Sequence, residues 1–111
     1  PLFFLRNEKG QRRIGMVVAE DGAVGIGLYD NANRDRCMLS LGRDASPKIT
    51  LKDDRGKIRA SLMLDSSGTC ALDLLNREGQ ERIAFQVDAK GQADAAVFGP
   101  DSKATWSAGK P

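Results

Sequence analysis

The chain has 111 residues, of which 41% are hydrophobic and 29% charged, and it carries a net charge of +2. That is the length of one domain, and the balance excludes both a disordered tail and a strongly basic nucleic-acid binder. With no His and only two Cys, the composition also excludes His-activated nucleophiles, His acid–base chemistry and most zinc centres.

In chain order, the same pattern recurs. Residues 2–24 place Phe3 and Leu5 before a turn signal at Asn7 and Gly10, then Ile14, Met16 and Val18 before a second signal at Gly22. Residues 25–47 repeat this with Ile26 and Leu28, a turn at Asp30 and Asn33, then Cys37, Leu39 and Leu41, with Ala45 at the second turn. Residues 48–70 offer Ile49 and Leu51, Asp53 and Gly56, then Ala60, Leu62, Leu64 and Gly68; residues 71–93 offer Leu72 and Leu74, Asn76 and Gly79, then Ile83, Phe85, Val87 and Gly91. A shortened unit, 94–111, keeps Ala95, Val97, Ser102 and Trp106. Alternation of apolar and polar residues with period two predicts strands, and no segment offers a helical period. The offset of 23 residues, which also aligns Arg13, Arg36, Arg59 and Arg82, is an internal repeat within a single domain, 1–111.

The spacing predicts an all-β antiparallel meander of about ten short strands. A β-solenoid with one coil per repeat has the same period, but tight glycine-containing turns favour hairpins. Parity constrains those turns. Leu64 and Leu72 both face inward across the second turn of a unit, so Ser66, Ser67 and Gly68 fit a type I turn with a glycine bulge. Across the first turn Leu51 and Ala60 must also share a face, which demands an even loop or an extra bulge, and Arg55-Gly56 is a poor type I′ pair.

The inward residues form continuous rows, one from Leu5 to Trp106 and another from Phe3 to Ala95. A sheet with one apolar face must cover it, since burying each Leu or Ile is worth about 1.5–3 kcal/mol. Closure into a barrel pairing the strands of Phe3 and Trp106, two packed sheets, or a homo-oligomer would each do so. Cys37 and Cys70 lie in this pattern as buried free thiols and not a disulfide. Small residues on the other face, Gly15, Ala23, Gly25 and Gly27, are compatible with a local twist or bulge or with a subunit contact.

The same register carries a polar row, Arg6, Arg13, Tyr29, Arg36, Lys52, Arg59, Leu75, Arg82 and Phe98, at about 4.8 Å spacing. Guanidinium groups pair with phosphate, sulfate or carboxylate, so Arg6, Arg13, Tyr29, Arg36, Lys52, Arg59 and Arg82 are the candidate binding residues for an anionic polymer or surface. The competing reading is that these stems cover neighbours and that Asp30, Asp35, Asp53, Asp54, Glu78 and Glu81 neutralise them. Nucleic acid is not the expected partner. The turn aspartates Asp21, Asp30, Asp44, Asp53 and Asp54 follow no calcium-loop spacing, so no metal or other cofactor is expected. No Ser or Cys has an assignable base and the paired carboxylates sit in turns, so no catalytic residue is assigned.

The segments Asp53-Asp54-Arg55-Gly56-Lys57-Ile58-Arg59-Ala60-Ser61-Leu62 and Ala71-Leu72-Asp73-Leu74-Leu75-Asn76-Arg77-Glu78-Gly79 resemble a repeat of uncharacterised bacterial proteins, close to D-x-x-G-K-x-R-A-x-L followed by D-G-x-x-x-L-x-L-x-D. The chain departs from it at Asn33, at Ala45 and at Thr105, which stands in the arginine column. The resemblance brings no activity or binding residue. It implies an extracytoplasmic, oligomeric assembly, because such repeats often follow a membrane helix and a coiled coil. No run here reaches the roughly 18 apolar residues of a membrane helix, so the segment is expected to be soluble and not to insert in a membrane. Pro1 in place of Met fits either initiator removal or a longer parent chain. A non-enzymatic structural or interaction module is the expectation, and a ten-stranded barrel carrying a lipid-like ligand is the alternative.

Overall fold

The computed structural model describes residues 2–109. They form ten strands: β1 (Leu2–Arg6), β2 (Arg12–Val18), β3 (Val24–Tyr29), β4 (Asp35–Leu41), β5 (Pro47–Lys52), β6 (Ile58–Leu64), β7 (Cys70–Leu75), β8 (Glu81–Val87), β9 (Ala93–Phe98) and β10 (Ala104–Gly109). They pair in chain order as a single antiparallel meander, so the hairpin reading holds and the solenoid does not.

One turn design serves throughout. In the turn at Asp53 the N–H of Asp53 donates to Lys57 O at 2.9 Å and the N–H of Gly56 donates to Asp53 O at 3.1 Å; the second-kind turn at Asp65 repeats both bonds through Thr69 O and Gly68 N. The Asp53 carboxylate accepts the N–H groups of Arg55 and Lys57 at 3.0 Å each, a local bond that favours the turn over continued strand. The fourth turn residue has positive φ, including at Asn33 (62°), Ala45 (65°) and Ser102 (64°). Only there does the missing glycine matter, since a β-carbon in the left-handed region costs about 1–2 kcal/mol.

Because both kinds of turn contain the same odd loop, the parity conflict at the first kind is resolved by an extra bulge. Leu51 pairs with Ala60 and Lys52 with Ile58, which leaves Arg59 as the inserted residue. The equivalent shift isolates Arg13, Arg36, Arg82 and Thr105. The arginine column is therefore the bulge column.

The register keeps Phe3, Met16, Ile26, Leu39, Ile49, Leu62, Leu72, Phe85 and Ala95 on one face, in cross-strand contact order. The sheet does not close. β1 pairs only with β2 and β10 only with β9, so the barrel, and with it an enclosed interior for an apolar ligand, is not formed. With nothing on top of it, the apolar face stays bare: no hydrophobic residue among those described is buried, and Leu62 is 42% and Trp106 55% exposed. The two cysteines are free, as expected, but they are not buried: Cys37 is half-buried and Cys70 exposed, because both stand on this open face.

On the opposite face Gly15, Gly25 and Gly27 are covered from within the chain, whereas Ala23 lies in the turn before β3. Gly15 and Gly27 are buried, and a β-carbon on Gly15 would lie 2.8 Å from Phe4 Cε1 and 3.2 Å from Tyr29 Cε2. Gly15 thus lets two rings lie against the backbone of the sheet, a close approach that only glycine permits. Phe4 and Tyr29 meet edge to face, with centroids 6.5 Å apart.

Candidate functional site

The bulge explains why arginine recurs. The bulge lies in the ladder to the preceding strand, and the ladder to the following strand stops one residue short of the arginine. The side chain supplies a bond there. Arg13 Nε donates to Tyr29 O at 3.0 Å, Arg36 Nε to Lys52 O at 2.8 Å, Arg59 Nε to Leu75 O at 2.7 Å and Arg82 Nε to Phe98 O at 2.7 Å. Where the column holds Thr105, its hydroxyl turns back to Val97 O at 3.2 Å.

Around this ladder the first-kind turns are fastened to one another. Gln11 Nε2 donates to Asn31 O, Arg13 Nη1 to Asn31 Oδ1, Arg12 Nε to Asn33 Oδ1 and Arg34 Nη1 to Asp54 O. The ion pairs found among the described residues all lie on this edge: Asp30 with Arg34 and Arg36, Asp35 with Lys52, and Asp53 with Arg59 at 4.0 Å. Partial burial acts to raise the Asp30 carboxyl, but the N–H groups of Arg34 and Ala32 and the side chains of Arg34 and Arg36 outweigh it and hold its pKa at about 2.

The structure divides the seven candidate binding residues. Arg36, Lys52 and Arg59 carry carboxylate partners, and Arg13, Arg36, Arg59 and Arg82 each spend Nε on a neighbouring carbonyl. The bulges also change the neighbours across each turn. Arg6 faces Arg12, Tyr29 faces Asp35, Lys52 faces Ile58 and Leu75 faces Glu81. Arg12, absent from the sequence reading, therefore joins Arg6, and its guanidinium lies over Phe4 at 4.8 Å and Tyr29 at 5.3 Å. The signal for it was available in the parity argument, since an extra bulge moves every partner by one residue.

At the other end of this face, Glu81 on β8 approaches Asp73 on β7. Sharing a proton with Asp73, partial burial and the Asp73 charge together push the Glu81 pKa up to about 7. A raised folded pKa means that the folded state binds the proton more tightly. Its contribution is complete below the ordinary value of about 4.5 and is lost as pH rises through about 7. Chemical denaturation at pH 5 and pH 8 should show wild-type stability falling across that window, and Glu81→Gln should flatten the fall; an unchanged slope would mean that the two carboxyls do not share a proton.

Among the described residues there is no group of three or more His, Cys, Asp and Glu able to hold a metal ion, and no helix is long and apolar enough to cross a membrane. No protein-family model and no curated protein matches the chain.

Proposed function

We propose that this chain is a non-enzymatic structural module that assembles with copies of itself through the bare apolar face of its sheet. The observation that carries the reading is the absence of any buried hydrophobic residue among those described. A chain of this length gains its stability by removing apolar surface from water, and here that surface is gathered on one side and left there.

The dimensions suit a second copy. Strands of about six residues and nine spacings of about 4.8 Å make a face of roughly 20 by 43 Å, or about 900 Å². A standard stable interface takes about 800 Å² from each partner. Two such faces stacked about 10 Å apart would form an ordinary sheet-on-sheet core, and the same surface serves a closed ring of more copies. The polar residues of the opposite face support the same reading, since they lock turns together.

Size-exclusion chromatography with light scattering, followed by denaturation over a range of protein concentrations, tests this. A mass of two or more chains and a transition midpoint that rises with concentration are expected. A monodisperse monomer with a cooperative, concentration-independent transition would overturn the reading. So would a monomer that folds only with lipid vesicles, which would assign the face to another occupant.

A further inference from the structure

We infer that Arg6 and Arg12, at the β1–β2 end of the outer face, form a binding site for an acidic polysaccharide. This goes beyond self-assembly, because the site lies on the face opposite the apolar one and stays open when that face is covered.

Arg6 and Arg12 are direct cross-strand partners. Like charges placed opposite one another destabilise a sheet pair. In the middle of the sheet the same edge is neutralised by Asp30, Asp35 and Asp53, but among the described residues no carboxylate forms an ion pair with Arg6, Arg12 or Arg13. What holds the guanidiniums in place is not an opposite charge but rings and carbonyls. Arg6 lies over Phe4 at 5.6 Å and donates to Gly10 O at 3.0 Å, while Arg12 is flanked by Phe4 and Tyr29 and donates to Asn33 Oδ1 at 3.1 Å. Each guanidinium has five N–H donors, so these bonds orient the groups and leave donors free for an incoming oxyanion.

Beside them a hollow of about 600 Å³ is lined by Arg6, Asn7, Glu8, Lys9, Gln11 and Asn31. The amides of Asn7, Gln11 and Asn31 and the Lys9 ammonium extend the donor set past the arginines, against the single carboxylate of Glu8. Carboxylate and sulfate groups along a sugar chain match such a cluster, since the guanidinium fork pairs with either. A single-stranded nucleic acid would also need ring faces on which to stack. The two rings present are half-buried and already occupied by Arg12, so a polysaccharide is the better fit.

The test is binding of a heparin oligosaccharide at low salt, compared with single-stranded DNA of similar charge. Arg6→Gln/Arg12→Gln should weaken heparin binding about tenfold and reduce its salt dependence, with the circular dichroism spectrum and oligomer mass unchanged. Arg55→Gln/Arg77→Gln removes the same charge from exposed turns elsewhere and should leave affinity nearly intact. Equal losses in both variants, no binding by the wild type, or tighter binding of DNA than of heparin would each overturn the proposal. Because oligomer mass is read in parallel, failure here is distinguishable from failure of self-assembly.

Discussion

Replacing Leu62 with Asp should abolish both assembly and folding, whereas Met63→Asp, one residue along the same strand, should be tolerated. In a lone sheet the two changes would differ little: Leu62 is already 42% exposed, and an exposed substitution usually moves stability by less than about 0.5 kcal/mol. If copies cover the apolar face, Leu62→Asp buries a carboxylate in every copy, at a cost of several kcal/mol each. That is comparable to the whole stability of a small domain. Met63 points to the other face, where it pairs with Lys48, so an aspartate there gains a cation and loses little. Leu39→Asp, on the same apolar face, should behave as Leu62→Asp does. Light scattering and far-ultraviolet circular dichroism read the outcome. Equal behaviour of Leu62→Asp and Met63→Asp would show that the apolar face is not an interface.

Arg59→Met should lower stability by about 1–2 kcal/mol, the usual worth of a hydrogen bond from a charged donor discounted for partial exposure. Arg59→Gln should cost less than half of that. The reasoning is geometric: the bond to Leu75 O is made by Nε at 2.7 Å, and the amide nitrogen of Gln can occupy the corresponding position, while Met keeps the length without a donor. The Asp53 contact at 4.0 Å is lost in both variants and so cancels. Urea denaturation at fixed protein concentration makes the comparison, and indistinguishable Met and Gln variants would mean that the bulge carbonyl is served equally well by water.

The strand count, the two-faced alternation and the repeat were legible because each rests on period two and on turn chemistry, both local. Parity around Leu51 and Ala60 even announced a choice between an even loop and a bulge. What stayed hidden was the answer, because the loop type depends on whether an inserted residue finds a partner, and Arg59 finds it sixteen residues away at Leu75. The same limit kept Arg12 out of the candidate site: a one-residue shift at the bulge decides whether Arg12 or Arg13 faces Arg6. The covering of the apolar face was not legible either. Residues such as Leu39 and Phe85 demand a cover without specifying its origin, and closure, which would satisfy them within one chain, is absent from the sheet. The glycines of the outer face allowed a subunit contact, yet Phe4, Tyr29 and Met38 occupy that space, so much of the room is taken by the chain itself.

Every strand pairs only with its neighbours in sequence. The module is consequently a ruler. Each 23-residue unit adds two strands, or about 10 Å, to the length of the sheet, and it begins and ends in the same register. A unit could therefore be duplicated or lost without re-threading any connection, changing reach in fixed steps while the turns, the bulges and the apolar face carry on across the join.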